Sequence, residues 1–222
     1  MSQFIDDTRI EKVGEGRYSG RLSGVWSIGT NPNGGYAMAP LMRAMADATG
    51  QPDPLSVTVH FLRPGVGDCD LELYTEVIRS GRTTATVHGS MIQDGKARLT
   101  MLATFGDLTK TQGIDAHFAP APPDLPPVEQ CVHRSALEQG VEVPLLNVTD
   151  IYLRPRDAEP DPDKEALIEG WVRLADGTPP DVFSLPYCID AFPPSPIARI
   201  AAIGWVPTLE FTIQTRARPA SG

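Results

Sequence analysis

Apolar and polar positions change period several times along the chain, and each change marks an element. Residues 15–28 (EGRYSGRLSGVWSI) set Tyr18, Leu22 and Trp26 among polar neighbours and read as a strand. The turn cluster 29–35 (GTNPNGG) follows. Residues 36–48 are then apolar nearly all round, with only Arg43 and Asp47 charged, which predicts a helix buried on most of its surface. Pro40 lies near enough to its start to be tolerated. Four strands are predicted next. Residues 55–63 are rich in β-branched and aromatic side chains, 70–79 alternate with period two, and 83–93 follow a turn at Gly81. Asp94-Gly95 then predicts a tight hairpin into 96–105. A buried helix followed by a meander predicts a sheet wrapped around that helix.

The pattern breaks over 107–128, where APAPPDLPPVE is extended and Pro-rich. Beyond it a short helix is predicted over 132–139, strands over 147–154 and 165–174, an apolar helical segment over 182–191 interrupted by Pro186, and a strand over 205–216. Residues 55–65 (LSVTVHFLRPG) and 209–220 (LEFTIQTRARPA) form a weak repeat: a leucine start, a β-branched middle and an Arg-Pro end.

Composition narrows the reading. The 222 residues are 41% apolar, enough for a real core. A net charge of −9 without a basic cluster argues against nucleic acid, although a few arginines or a helix N-terminus still suit an anionic small molecule. No run suits a membrane-spanning helix, and the acidic start MSQFIDDTRIEK lacks the features of a secretory signal, so a cytoplasmic protein is expected. Three scattered cysteines (Cys69, Cys131, Cys188) predict free thiols, and the four histidines lack metal-ligand spacing.

The words GTNPNGGYAMAPLMRA, LSVTVHFLRPG, RSGRTTATV and IQDGKA, in that order, resemble the acyl-CoA thioesterase family, specifically its double-hotdog, thioesterase II-like type. The resemblance implies an α+β fold of two tandem hotdog modules, each an antiparallel sheet around a long helix. They would occupy 1–108 and 141–222, with 109–140 as a linker. It implies hydrolysis of acyl-CoA to free acid and CoA, without cofactor or metal, by water activated through an Asp, a Thr and a Gln. Asp190 and Thr208 fall at the first two positions. The glutamine position falls beyond residue 222, as do roughly three strands of the second sheet. Three explanations stand open: a shortened chain, strands supplied by a partner, or a protein that does not catalyse. Hotdog modules commonly pair, so a homo-oligomer is expected.

The residues themselves carry two readings each. Asp190, among Ile189, Ala191 and Phe192, is costly to bury without a partner, which suits either a general base or a helix-end or loop acid. Thr208 either orients a water or is an ordinary strand threonine; the first repeat carries Pro54 at that position, so only one copy keeps the hydroxyl. Gly34 and Gly35 precede the buried helix, where free backbone N–H groups suit the thioester carbonyl oxygen, or they form a plain turn. Arg63, Arg79 and Arg82 suit phosphates or are solvated strand ends. Gln93 flanks the hairpin, Cys188 reads as a small buried residue, and His60 has no partners for a hydrolase triad. The competing function is a non-catalytic acyl-CoA-binding or assembly protein. A β-hydroxyacyl-CoA dehydratase fits less well, because no Asp/His pair lies near residues 34–48.

Overall fold

The buried helix forms where the apolar run predicts it. A computed structural model describes residues 2–110, 121–134, 142–200 and 206–220. After a short helix α1 (Gln3–Asp7) and strands β1 (Ile10–Gly14) and β2 (Arg17–Leu22), the segment read as one strand over 15–28 divides. Ser23 accepts a hydrogen bond from the Val25 N–H, and the Gly24 N–H donates to Asp68, so the chain turns through a 3-10 helix at Gly24–Trp26. That turn carries Trp26 inward, where its Nε1 donates to Asp7 at 2.8 Å. Two-residue strands β3 (Ser27–Ile28) and β4 (Asn31–Pro32) form a small hairpin before helix α2 (Gly34–Thr49).

Helix α2 starts two residues earlier than the apolar pattern suggests because Asn33 caps it, its Oδ1 accepting from the Tyr36 N–H at 3.0 Å. Met38, Leu41, Met42 and Met45 are all fully buried, each worth roughly 1.5–3 kcal/mol of transfer from water. The helix packs across the meander β5 (Asp53–Phe61), β6 (Cys69–Ser80), β7 (Thr84–Gln93) and β8 (Lys96–Gly106). Asp94 and Gly95 both take positive φ in the β7–β8 hairpin, as the sequence predicts.

In the second half, β9 (Val132–His133), β10 (Thr149–Leu153) and β11 (Gly170–Leu174) make a three-stranded antiparallel sheet in the order β11-β10-β9. The helix predicted over 132–139 is therefore corrected at its start: Val132 and His133 pair with Leu153 and Tyr152. Residues 135–139 lie outside the described residues. The strand predicted over 165–174 begins only at Gly170, because the Glu169 N–H donates to the Asp157 carboxylate and the Arg154 guanidinium holds Glu169 at 2.8 Å. Helix α3 (Leu185–Asp190) is short, stopped by Pro193, Pro194 and Pro196. No helix among the described residues of this half matches α2 in length.

The last strand, β12 (Glu210–Gln214), joins the main sheet rather than the second one, giving the order β1-β2-β6-β7-β8-β5-β12. The repeated strands thus pair with each other. Thr58 faces Thr212 in antiparallel register, hydroxyl to hydroxyl at 3.1 Å, and these are the fourth residues of the two repeats. A local two-fold axis passes between them. Phe4, Trp26 and Tyr36 of the first half close on Tyr187 of α3, with Trp26 stacked on Tyr36 at 5.3 Å and edge-on to Tyr187 at 5.0 Å. Among the described residues no helix is long and apolar enough to cross a membrane.

Candidate active site

Two helix ends meet at one point. Asp181 starts α3 by accepting from the Phe183 and Ser184 N–H groups, and Asp190 is its final residue. A carboxylate at a helix C-terminus opposes the dipole of its own helix. The N-terminus of α2, however, stands directly before it. The Gly35 N–H donates to Asp190 Oδ2 at 2.9 Å, and the Gly34 N–H and Asn33 side chain also reach the carboxylate. Asn33 Nδ2 further donates to the Asp190 carbonyl at 2.9 Å, so this cap ties both helix ends together.

The approach depends on glycine. A Cβ on Gly35 would lie 2.5 Å from the Pro186 carbonyl oxygen and 2.7 Å from the Tyr187 Cα, so no larger residue lets α3 come this close. Thr208, in the extended segment before β12, completes the group, its hydroxyl near enough to the Asp190 carboxylate to favour the ionised form. Burial pushes the Asp190 carboxyl above the ordinary carboxylate range, against the pull of these four donors. The result is a half-buried carboxylate more basic than usual, with a hydroxyl at its side.

The four residues singled out from the sequence, Gly34, Gly35, Asp190 and Thr208, therefore converge. The Gly35 N–H, with Gly34 beside it, faces the Asp190 carboxylate in this arrangement, whereas the sequence offers both N–H groups to a thioester oxygen. Thr208 stands two residues ahead of the strand, which begins at Glu210.

These residues line a cavity of about 520 Å³. Its apolar wall includes Ala37, Phe61, Met91, Leu99 and Phe192, and its rim carries the exposed side chains Leu62, Ile189, Val206 and Leu209. Arg63 and Arg98 line it as well, whereas Arg79 and Arg82 sit exposed elsewhere. Gln93 lies outside it: its Oε1 accepts from the Val66 N–H at 2.9 Å and its Nε2 donates to the Val66 carbonyl at 3.0 Å. Burial pushes the Cys188 thiol up to about 11, which suits an inert core residue. His60 is exposed on β5 opposite Glu210. Sequence reasoning missed Asn33 and Arg98. Asn33 carries a readable sign, an asparagine directly before a helix start. Arg98 carries none, since a charged residue is ordinary in any alternating strand.

Comparison with known proteins agrees with this architecture. Residues 22–106 match the family model of the acyl-CoA thioesterase N-terminal domain, and residues 116–222 match that of the acyl-CoA thioesterase C-terminal domain. A thioesterase-like protein of Talaromyces wortmannii is 26% identical over 86% of this chain, which spans 62% of that protein's length. An uncharacterized Mycobacterium tuberculosis protein is 26% identical over 92% of this chain and 77% of its own length. Among solved structures, a proposed thioesterase II from Thermobifida fusca is 28% identical with a TM-score of 0.87, over 99% of this chain and 82% of that one. A hot dog protein of unknown function from Alicyclobacillus acidocaldarius, 23% identical, shares the fold with a TM-score of 0.86, over 99% of this chain and 80% of that one.

Proposed function

The chain belongs to the acyl-CoA thioesterase family, and on that premise we propose that it hydrolyses acyl-CoA thioesters to free acid and CoA with water activated by Asp190 and Thr208. The observation that carries this reading is the meeting of the Asp190 carboxylate and the Thr208 hydroxyl at the α2 N-terminus, inside a cavity with an apolar wall. Asp190 takes one proton from a water that Thr208 orients. The water oxygen bonds to the thioester carbonyl carbon, the C–S bond breaks, and the departing thiolate receives the proton from Asp190. No covalent enzyme intermediate is needed.

In this reading the chain is a tandem of two hotdog modules, residues 1–108 and 141–222. Support comes from the two domain models matched in succession and from the repeated strands paired about the Thr58–Thr212 axis. A second reading, acyl-CoA held without turnover, is favoured by one observation: the Gly35 N–H, with Gly34 beside it, already faces the Asp190 carboxylate. One experiment separates the two. The purified chain is incubated with a panel of acyl-CoAs and free thiol is followed. Release that disappears in Asp190→Asn supports hydrolysis; saturable binding with no release supports the second reading.

A further inference from the structure

Two arginines near the ends of the repeated segments differ in their surroundings. Each repeated strand runs into an Arg-Pro pair, Arg63-Pro64 in the first half and Arg218-Pro219 in the second. Arg218 is neutralised: its Nε and Nη2 donate to the two carboxylate oxygens of Asp53 at 2.9 and 3.1 Å, and Asp53 is buried at the start of β5. Arg63 is the ninth residue of its repeat and Arg218 the tenth, so the two are not in register, and Arg63 meets no such acid. Its Nη1 donates to the Ala97 carbonyl at 3.0 Å, and among the described residues it makes no ion pair.

Arg98 stands beside it. The Arg98 carbonyl accepts from the Leu62 and Arg63 N–H groups at 2.7 and 3.1 Å, and its Nη1 donates to the Pro64 carbonyl at 3.0 Å. Its ion-pair partner, Asp94, lies at 3.4 Å and is 65% exposed, and its buried Nε has no partner among the described residues. Two guanidinium groups thus share the lining of one cavity, on a chain with 28 acidic against 19 basic side chains. Among the described residues Asp190 is the only acid in that lining, and its carboxylate faces the α2 N-terminus, where the Gly35 N–H donates to it. Like charges held together in this way call for an anion.

We propose that Arg63 and Arg98 form a phosphate-binding rim at the cavity that holds Asp190, taking the phosphate of a phosphopantetheine-type carrier whose thioester reaches inward past Leu62 and Leu209. The identity of the anion rests on the thioesterase reading; the cationic rim does not. A phosphopantetheine phosphate is common to CoA and to the arm of an acyl carrier protein, so the test separates these sources.

Titration calorimetry on the full chain compares pantetheine, phosphopantetheine and CoA. Phosphopantetheine is expected to bind about tenfold or more tighter than pantetheine, as charge-assisted bidentate contacts allow. Arg63→Gln, which removes one exposed hydrogen bond and leaves the Arg98 brace on Pro64 intact, is expected to erase that difference, and Arg63→Lys to restore part of it. CoA tighter than phosphopantetheine supports a rim that also reads the nucleotide phosphates; equal affinity supports one satisfied by the single phosphate that a carrier arm presents. Equal binding of pantetheine and phosphopantetheine overturns the proposal, as does no binding of any of the three, or an Arg63→Gln variant that weakens both alike. Phosphate-dependent binding without thiol release from acyl-CoA sinks the hydrolysis reading alone. Hydrolysis that treats acyl-pantetheine and acyl-CoA equally sinks the rim alone.

Discussion

The Gly35 N–H stands 2.9 Å from Oδ2 of Asp190, joining the start of the long helix to the end of the short one across 155 residues of sequence. Each helix end supplies what the other lacks. The α2 terminus offers unpaired donors, and α3 ends on a carboxylate that its own dipole disfavours. That junction and its supports can each be broken by a single substitution.

Asp190→Asn is expected to lower thiol release by roughly 10²–10⁴-fold, the usual range for a lost general base. Its melting temperature is expected to equal or exceed that of the parent, because the variant no longer buries a charge. Thermal unfolding beside the kinetic assay checks both. A variant that loses activity only because it melts early would remove the argument for a base.

The pH dependence carries a definite sign. Burial raises the Asp190 pKa in the folded state, so its contribution to stability is fully present below the unfolded pKa and fades as pH rises through the folded value. Turnover needs the ionised form and runs the other way, falling as pH drops through that same raised pKa. A pH–rate profile of the parent should show this acid limb above the ordinary carboxylate range. In Asp190→Asn the matching pH dependence of stability should vanish.

Thr208→Ala removes a hydroxyl beside a carboxylate, and kcat/KM is expected to fall about ten- to a hundredfold. Thr208→Ser keeps the hydroxyl and should recover most of the rate. Steady-state kinetics on the pair decide whether the hydroxyl or the methyl matters.

Gly35→Ala places a methyl group 2.5 Å from the Pro186 carbonyl, so α3 must move. A loss of about 1–3 kcal/mol in urea unfolding is expected, as for other overpacked sites. Activity should fall with it, since the same shift withdraws Asp190 from the α2 N-terminus.

Gln93→Leu tests a buried polar residue beside the β7–β8 hairpin and outside the cavity. Its amide occupies both polar groups of Val66, so the variant should cost about 1–3 kcal/mol while kcat per folded molecule stays unchanged. Denaturant midpoints and active-site-normalised rates check the two halves of that statement.

Much of this arrangement was legible in the chain. Composition and period marked α2, the four-stranded meander and the Asp94-Gly95 turn, because each depends on neighbours a few residues away. The repeat pointed to equivalent strands, though nothing local said that Thr58 and Thr212 would face each other. Asp190 stood out as a carboxylate in apolar company, but its meeting with Gly34 and Gly35 did not. Their N–H groups stay free in any local reading until the short helix closes on them from the far half of the sequence. The division of residues 15–28 was hidden for the same reason: Asp68 and Asp7, which hold Gly24 and Trp26, are remote or precede the segment. Arg98 gained its place only from the neighbouring end of β5.

The seam between β5 and β12 also sets an order of events. Thr58 waits for Thr212, which leaves the ribosome 154 residues later. Until then the outer side of β5 is a raw strand edge, the kind of template on which nascent chains associate. A pairing so distant in sequence is slow to find. The arrival of β12 therefore moves the sheet edge from β5 to a five-residue strand, and the yield of soluble protein should depend on how quickly β12 arrives.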